Sequence, residues 1–417
     1  MYFHRSIEKT IEEVGRSFPC IVIYGSRQVG KSTTIDHLYG EKYQKVTLDD
    51  MDDRLLAQSN PRLFLETYQW PLIIDEIQKA SGLLDEIKKV IDEQRLKWMK
   101  EDAPRQLMYI LTGSNRFELQ QGISDSLAGR CGVIDMASFS SMEKQKLEEN
   151  CFSPEISFWM KLQNSKKIPY HTRAEIFETI FQGGMPDVVS GAAERNAFFK
   201  SYVSTYIEKD VRKLINASNE LQFRNFISIA ALRTAQELHY DEIAGSVGID
   251  VRTCKRWISI LETSGIIFLL QPYMANVSNR IIKAPKIYFM DTGLCAWLCK
   301  WPNAEMLSNS AMNGAFFETY VVSEIVKNAY AFNLDPHDFL YYYRDTDMKE
   351  IDLLYVIRDQ IYPIEIKAGI LPVHAAKNFS VLDKYKMKIE TGLIICNTDK
   401  IRPINEKVYQ VPVYLLP

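Results

Sequence analysis

The sequence predicts an α/β protein in three parts: an α/β domain over residues 1–147, a helical segment over 148–280, and a second α/β domain over 281–417. Three observations carry this. The N-terminal third alternates short apolar runs with stretches of helical spacing. The middle shows helical spacing almost alone. The last third returns to strand-like runs with two helical stretches between them.

In the first part, CIVIYG is an apolar run ending at Gly25, and KSTTIDHLY follows with helical spacing. KVTLDD, PLIIDE and QLMYILTGS are further buried-strand candidates, separated by helical stretches such as LLDEIKKVIDEQRLKWMK. That alternation predicts a parallel sheet covered by helices on both faces. The middle is helical at FFKSYVSTYIEKDVRKLI and FRNFISIAALRTAQEL. In the last part, YYYRDTDMKEIDLLYVI, QIYPIEIKAG, TGLIIC and YQVPVYLLP read as strands, with helices at GAFFETYVVSEIVKNAY and VHAAKNFSVLDKYK. Internal repeats and low-complexity tracts are absent, which excludes a solenoid.

Composition narrows the function classes. Of 417 residues 46% are apolar, enough for sizeable cores. Lys plus Arg number 50 against 53 Asp plus Glu, a net charge of -3 that excludes a wholesale polybasic nucleic-acid wrapper but leaves room for a local basic face. The first twenty residues read as a polar amphipathic helix without an export signal. Residues 263–279 lack charge but contain Gly265, Gln271, Pro272 and Asn276, a poor membrane span. Seven scattered cysteines, with Cys295 and Cys299 the only near pair, predict reduced thiols in a cytoplasmic protein with no membrane contact.

The chemistry begins at Gly25, Ser26, Arg27, Gln28, Val29, Gly30, Lys31 and Ser32, followed by Thr33. This fills GxxxxGK[ST] between a strand run and a helical run, the signature of a phosphate-binding P-loop. The glycines permit a tight path that points amide N–H groups at phosphate oxygens, and the following helix adds its N-terminal dipole. Lys31 brings a mobile positive charge, and the Ser32 hydroxyl suits Mg²⁺. Pro71 to Ile74 form an apolar strand whose tip presents Asp75, for Mg²⁺, and Glu76, to orient the attacking water. The nucleotide expected is ATP. Asn115, after the strand ending in Leu111-Thr112-Gly113, is either an ordinary turn residue or a contact to the γ-phosphate or the attacking water. Arg130 is either a solvated charge or an arginine finger placed on a neighbouring subunit.

The order GSRQVGKST, LIIDE, TGSN, LAGR resembles bacterial and archaeal AAA-type ATPases that carry a C-terminal domain of unknown function. Further blocks match that family: Gly183-Gly184-Met185-Pro186, Tyr206 to Val211, and Ala284 to Leu294. The resemblance implies an AAA-type fold, Asn115 as a sensor, Arg130 as a trans-acting finger, and a homo-oligomer that shares its ATP sites.

Residues 238–265 read as two short helices around Gly248, the second capped by Asp250. Its apolar face uses Val251, Cys254, Trp257, Ile258 and Leu261, and its other face shows Arg252, Lys255 and Arg256. With strands at IIFLLQPY and RIIKAPKIYFM as a wing, this resembles a winged helix-turn-helix that contacts DNA or, equally, another protein.

Near the C-terminus, Glu365 and Lys367 lie two apart on a strand and so face the same side, and Arg358-Asp359-Gln360 suits a turn that brings Asp352 alongside. Charges inside an apolar strand cost stability unless paired or metal-bound. With Glu318 from the upstream helix, the set resembles the PD-(D/E)xK nuclease superfamily, a restriction-endonuclease-like fold. That resemblance implies Glu318, Asp352 and Glu365 around Mg²⁺ or Mn²⁺, with Lys367 stabilising developing charge. The expected function is an ATPase coupled to a DNA-binding or metal-dependent nuclease-like domain. The rival is a nucleotide-controlled switch or scaffold that binds DNA or protein without cutting.

Overall fold

Buried apolar runs of four or five residues build the three inner strands of the first sheet, whereas residues 44–47, expected as a buried strand, lie at its edge with only Val46 buried. The computed structural model describes residues 2–113, 126–205, 207, 220–274, 284–370 and 374–417. These divide into two compact units, one of residues 1–138 with 263–265 and 330–333, the other of 139–262, 266–329 and 334–417. The second unit takes in both the middle helical segment and the C-terminal α/β part.

In the first unit, α1 (Glu8–Ser17) leads to β1 (Cys20–Tyr24), α2 (Lys31–Tyr39), β2 (Gln44–Thr47), α3 (Met51–Ser59), α4 (Pro61–Thr67), β3 (Leu72–Asp75), α5 (Leu83–Glu101), β4 (Tyr109–Gly113) and β5 (Cys131–Asp135). The strands lie in the order β2-β3-β4-β1-β5, all parallel. Every residue of β1 and β4 is buried, because both strands are internal and both faces of the sheet are covered. Edge strand β5 alternates instead, with Val133 exposed. Helix α5 buries Leu83, Leu84, Ile87, Ile91 and Trp98 at helical spacing against this core. Parallel strands place the ends of β1, β3 and β4 at one edge of the sheet, where α/β proteins bind ligands.

In the second unit, helices α6 (Ser141–Lys144), α7 (Ile156–Ser165), α8 (Arg173–Gln182), α9 (Pro186–Val189), α10 (Arg195–Tyr202) and α11 (Glu220–Leu232) precede β6 (Gln236–Glu237), α12 (Tyr240–Val247) and α13 (Val251–Thr263). Asp250 caps α13, accepting from the Thr253 N–H at 2.9 Å and the Thr253 hydroxyl at 2.6 Å. The buried stripe of α13 is Cys254, Trp257, Ile258, Ile260 and Leu261. Val251, expected on that stripe, is exposed. It is the first helical residue, one turn before the covered face begins. Trp257 packs edge-on against Phe223 and Phe226, at 5.2 and 5.0 Å. Strands β7 (Ile267–Leu270) and β8 (Lys286–Phe289) pair antiparallel, and β6 adds to the other side of β8.

Then come α14 (Thr292–Leu298), α15 (Ala304–Ser308) and α16 (Asn313–Ala331), followed by β9 (Leu340–Arg344), β10 (Glu350–Ile357), β11 (Gln360–Lys367), β12 (Lys388–Ile389), β13 (Gly392–Cys396), β14 (Arg402–Asn405) and β15 (Val408–Pro412). The sheet runs β14-β15-β13-β11-β10-β9, with β12 also on β11. Strands β9, β10 and β11 form an antiparallel meander, and β13 joins β11 in parallel. Residues 375–384, expected as an α-helix, form a 3₁₀ helix that buries Phe379 and Leu382. Among the described residues no helix is long and apolar enough to cross a membrane. All seven cysteines are free.

Candidate functional site

The loop from Gly25 to Gly30 joins the buried end of β1 to the first turn of α2. Gly25 passes so close to β5's exit that a Cβ there would lie 2.2 Å from the Met136 carbonyl oxygen. Gly30 precedes the helix at φ 96°, a left-handed conformation that glycine adopts without strain. Ser26 and Val29 are buried, Gly30 and Arg27 partly so, and Gln28 and Thr33 exposed. The Lys31 ammonium donates to the carbonyls of Gly25 (2.8 Å) and Ser26 (2.9 Å), folded back over its own loop. Burial lowers its pKa to about 8 against the opposing pull of Glu76 and Asp75.

At the tip of β3, Asp75 accepts from the Ser32 hydroxyl at 3.0 Å through Oδ2, and from the Thr112 hydroxyl and the Glu76 N–H through Oδ1. Glu76 holds a left-handed conformation at φ 57° where the strand turns out, and the Gln78 amide donates to its carboxylate. Ser32 and Asp75 thus present hard oxygen donors side by side, which suits Mg²⁺. Sequence reasoning missed two supporting residues. Thr112 orients Asp75 from the neighbouring strand β4; a hydroxyl at the end of an otherwise apolar strand was its signal. Arg5, buried, donates to the carbonyls of Val29 and Ala137, each at 2.8 Å, and so braces the loop from outside the motif. Nothing in its local sequence marked it.

Asn115 lies outside the described residues. Arg130 forms a two-pronged pair with Asp92 of α5, at 2.6 and 2.9 Å, and the guanidinium holds the Asp92 carboxyl below its usual range. In the second unit, Arg252, Lys255 and Arg256 are all exposed on α13, with the Lys255 ammonium 5.4 Å from the Tyr240 ring centre.

The C-terminal charges gather on β10 and β11. The hairpin turns at Arg358-Asp359, with pairs from Ile357–Gln360 to Leu353–Ile364, and the alternation carries Asp352 alongside Glu365. Asp352 Oδ2 accepts from the Ile366 N–H (2.8 Å) and the Lys367 ammonium (2.7 Å), and Lys367 also contacts Glu365 at 2.7 Å. Burial and the Asp352 charge push the Glu365 carboxyl up to about 9. Burial opposes the Asp352 charge, but Lys367 and Lys286 outweigh it and hold that carboxyl down. The two carboxyls are thus pushed in opposite directions, Glu365 up and Asp352 down, with the Lys367 ammonium in contact with both.

Glu318 lines the same cleft of about 680 Å³ as Lys367 and Arg173. Its carboxylate is taken by the Lys286 ammonium at 2.9 Å and the Tyr288 hydroxyl at 2.6 Å. Lys286, with its side chain only 2% exposed, also reaches Glu350 at 2.6 Å. Burial works against its charge, yet Glu318, Tyr288, Asp352 and Glu350 hold its pKa above the usual range. Lys286 is the residue that sequence reasoning missed here. Its signal was the same one that found Glu365, a charge inside an apolar strand. Among the described residues, the trio of His, Cys, Asp or Glu donors converging within 4.8 Å is His4, Glu8 and His37, so Glu318, Asp352 and Glu365 do not converge that tightly.

Three family models match successive segments: an AAA domain over residues 17–144, a domain of unknown function (DUF8612) over 173–305, and another (DUF4143) over 313–416. The uncharacterized proteins Rv2008c of Mycobacterium tuberculosis and Mb2031c of Mycobacterium bovis are each 24% identical over 399 residues, 94% of this chain and 80% of theirs. Among solved structures, a Walker-type ATPase of Pyrococcus abyssi is similar at TM-score 0.39 and 16% identity, over 71% of this chain and 96% of that one. The DnaA protein of Aquifex aeolicus, bound to AMPPCP, is similar at TM-score 0.27 and 12% identity, over 61% of this chain and 85% of that one. A mutant RuvB of Thermotoga maritima is similar at TM-score 0.26 and 15% identity, over 63% of this chain and 86% of that one. The P-loop, the acidic tip of β3 and the parallel sheet agree with the match of residues 17–144 to the AAA domain family.

Proposed function

We propose that the chain binds ATP in the cradle between Gly25 and Ser32 and hydrolyses it. The observation that carries this is the 3.0 Å contact between the Ser32 hydroxyl and Asp75, beside a lysine already seated on the loop. In the bound state the Lys31 ammonium leaves its two carbonyls for the terminal phosphates. Backbone N–H groups of the loop hold the phosphate chain, and Glu76 orients the attacking water. Ser32 and Asp75 would hold Mg²⁺, which would supply neutralising charge at the phosphates. Glu76→Gln should bind ATP as tightly as wild type yet turn it over at least about 10²-fold more slowly. An unchanged steady-state rate would remove Glu76 from the chemistry. Sharing of ATP sites between copies requires Arg130 to leave Asp92, and gel filtration with and without ATP tests for such assembly.

The ATPase is coupled in this reading to a DNA-directed second unit. The exposed basic residues of α13, next to the antiparallel β7–β8 pair, support a winged-helix contact with DNA. The succession of α16, the β9–β10–β11 meander and parallel β13 supports a nuclease-like core. A second reading, a nucleotide-controlled switch that binds without cutting, is favoured by the ion pairs of Lys286 and Lys367, which already compensate the carboxylates a metal would need. Incubating DNA with Mg²⁺ or Mn²⁺ separates the readings. Cutting by wild type that is lost in Asp352→Ala supports the nuclease, and no cutting with ATP turnover intact supports the switch.

A further inference from the structure

His4, Glu8 and His37 bring two imidazoles and a carboxylate together outside the nucleotide cradle, with donor atoms all within 4.8 Å of one another. His4 lies four residues before Glu8, the first residue of α1, and His37 sits in the last turn of α2. The two imidazole rings meet nearly edge to face, with centres 5.6 Å apart at 79°. His4 Nδ1 lies 3.4 Å from Glu8 Oε2.

The surroundings already orient these groups. Glu8 Oε1 accepts from the Tyr2 hydroxyl at 2.8 Å and the Arg5 N–H at 2.6 Å, which leaves Oε2 facing His4. The Tyr2 ring stacks on His37 with centres 3.9 Å apart. Partners that fix one oxygen of a carboxylate and the plane of an imidazole are what a metal-binding set needs around it. The His4 side chain, 82% exposed, is free to rotate inward, so the donors can close to the about 2.0–2.2 Å bonds of a zinc site.

We propose that His4, Glu8 and His37 form a site for a borderline-soft divalent ion, Zn²⁺ by preference, with remaining positions open to water. Two imidazoles select against Mg²⁺, which the all-oxygen set at Ser32 and Asp75 suits instead. The ion staples the N-terminal segment to α2. That segment carries Arg5, whose guanidinium grips the Val29 carbonyl, while α2 begins with Lys31 and Ser32. The staple therefore closes across the outside of the phosphate cradle, and it stands whether or not ATP is hydrolysed there.

The test is Zn²⁺ titration of the full chain in competition with a chromogenic chelator, alongside thermal unfolding with and without Zn²⁺. Wild type and His374→Ala should bind one equivalent that both His4→Ala and His37→Ala lose. Zn²⁺ should raise the melting temperature of wild type by several degrees and leave those two variants unmoved. No binding by wild type, or the same stoichiometry in both variants as a cysteine site would give, overturns the proposal. Metal-free melting temperatures of the variants that match wild type show that the loss is of the ion and not of the fold.

Discussion

Two acidic sites in this chain are balanced in different ways. At the tip of β3, Asp75 is held by the hydroxyls of Ser32 and Thr112, which orient it without neutralising it. The nearest lysine, Lys31, spends its hydrogen bonds on the carbonyls of Gly25 and Ser26. In the second unit, Asp352, Glu365, Glu318 and Glu350 contact the ammonium groups of Lys367 and Lys286 directly. The first arrangement puts no ammonium in direct contact with its carboxylate, as the proposed binding of a cation and a phosphate requires. The second supplies its own cations, and a buried pair of that kind is costly to break. An acidic cluster is thus a metal site only to the extent that the protein has left its charge unmatched.

The largest test of this contrast is Lys31→Ala. It should abolish binding of a fluorescent ATP analogue, raising Kd at least 100-fold, and retention of binding would remove the basis for the cradle. Next is Lys286→Met, which leaves Glu318 and Glu350 facing each other without their shared ammonium. It should cost about 3–5 kcal/mol in urea denaturation, with part recovered in the double variant with Glu318→Gln. A loss below 1 kcal/mol would show that the cluster is not balanced from within.

A third prediction uses a half-buried lysine that lacks so direct a partner. Lys144 donates to the Gly183 carbonyl at 3.1 Å, and burial lowers its pKa from 10.5 to about 8. Below pH 8 both folded and unfolded chains carry the proton, and the folded state bears the full cost of the charge. Between pH 8 and 10.5 the unfolded chain holds more protons, so this contribution to stability rises with pH until the cost is gone. Lys144→Met should therefore stabilise the protein by about 1–3 kcal/mol at pH 7, and the gain should fade by pH 10.5. A gain that is independent of pH would point to packing. The smallest effect belongs to Thr112→Val, which removes one charge-assisted hydrogen bond to Asp75. It should weaken Mg²⁺-dependent nucleotide binding by up to about tenfold, and leave metal-free nucleotide binding unchanged.

The nucleotide cradle was legible in sequence because its parts are local. A strand, a glycine loop and a helix follow one another within a dozen residues, and Asp75 ends a run of apolar residues. The hairpin that pairs Asp352 with Glu365 was legible for the same reason, since a two-residue turn and strand alternation settle which side chains meet. Lys286 was not, although its ammonium contacts both Glu318 and Glu350. It arrives from β8, 32 positions before its partner. Val251 erred in the other direction: periodicity placed it on a buried face that starts one turn later.

The amino-acid order by itself determined the P-loop, the acidic strand tip, the two α/β regions and the charges embedded in apolar strands, because backbone geometry and side-chain periodicity act over a few residues. Only the tertiary structure decided which of those charges are already matched, that Arg5 braces Val29, that Arg130 rests on Asp92, and that His4 meets His37. Such pairings join residues far apart along the chain, and their strength depends on burial that exists only once the chain has folded.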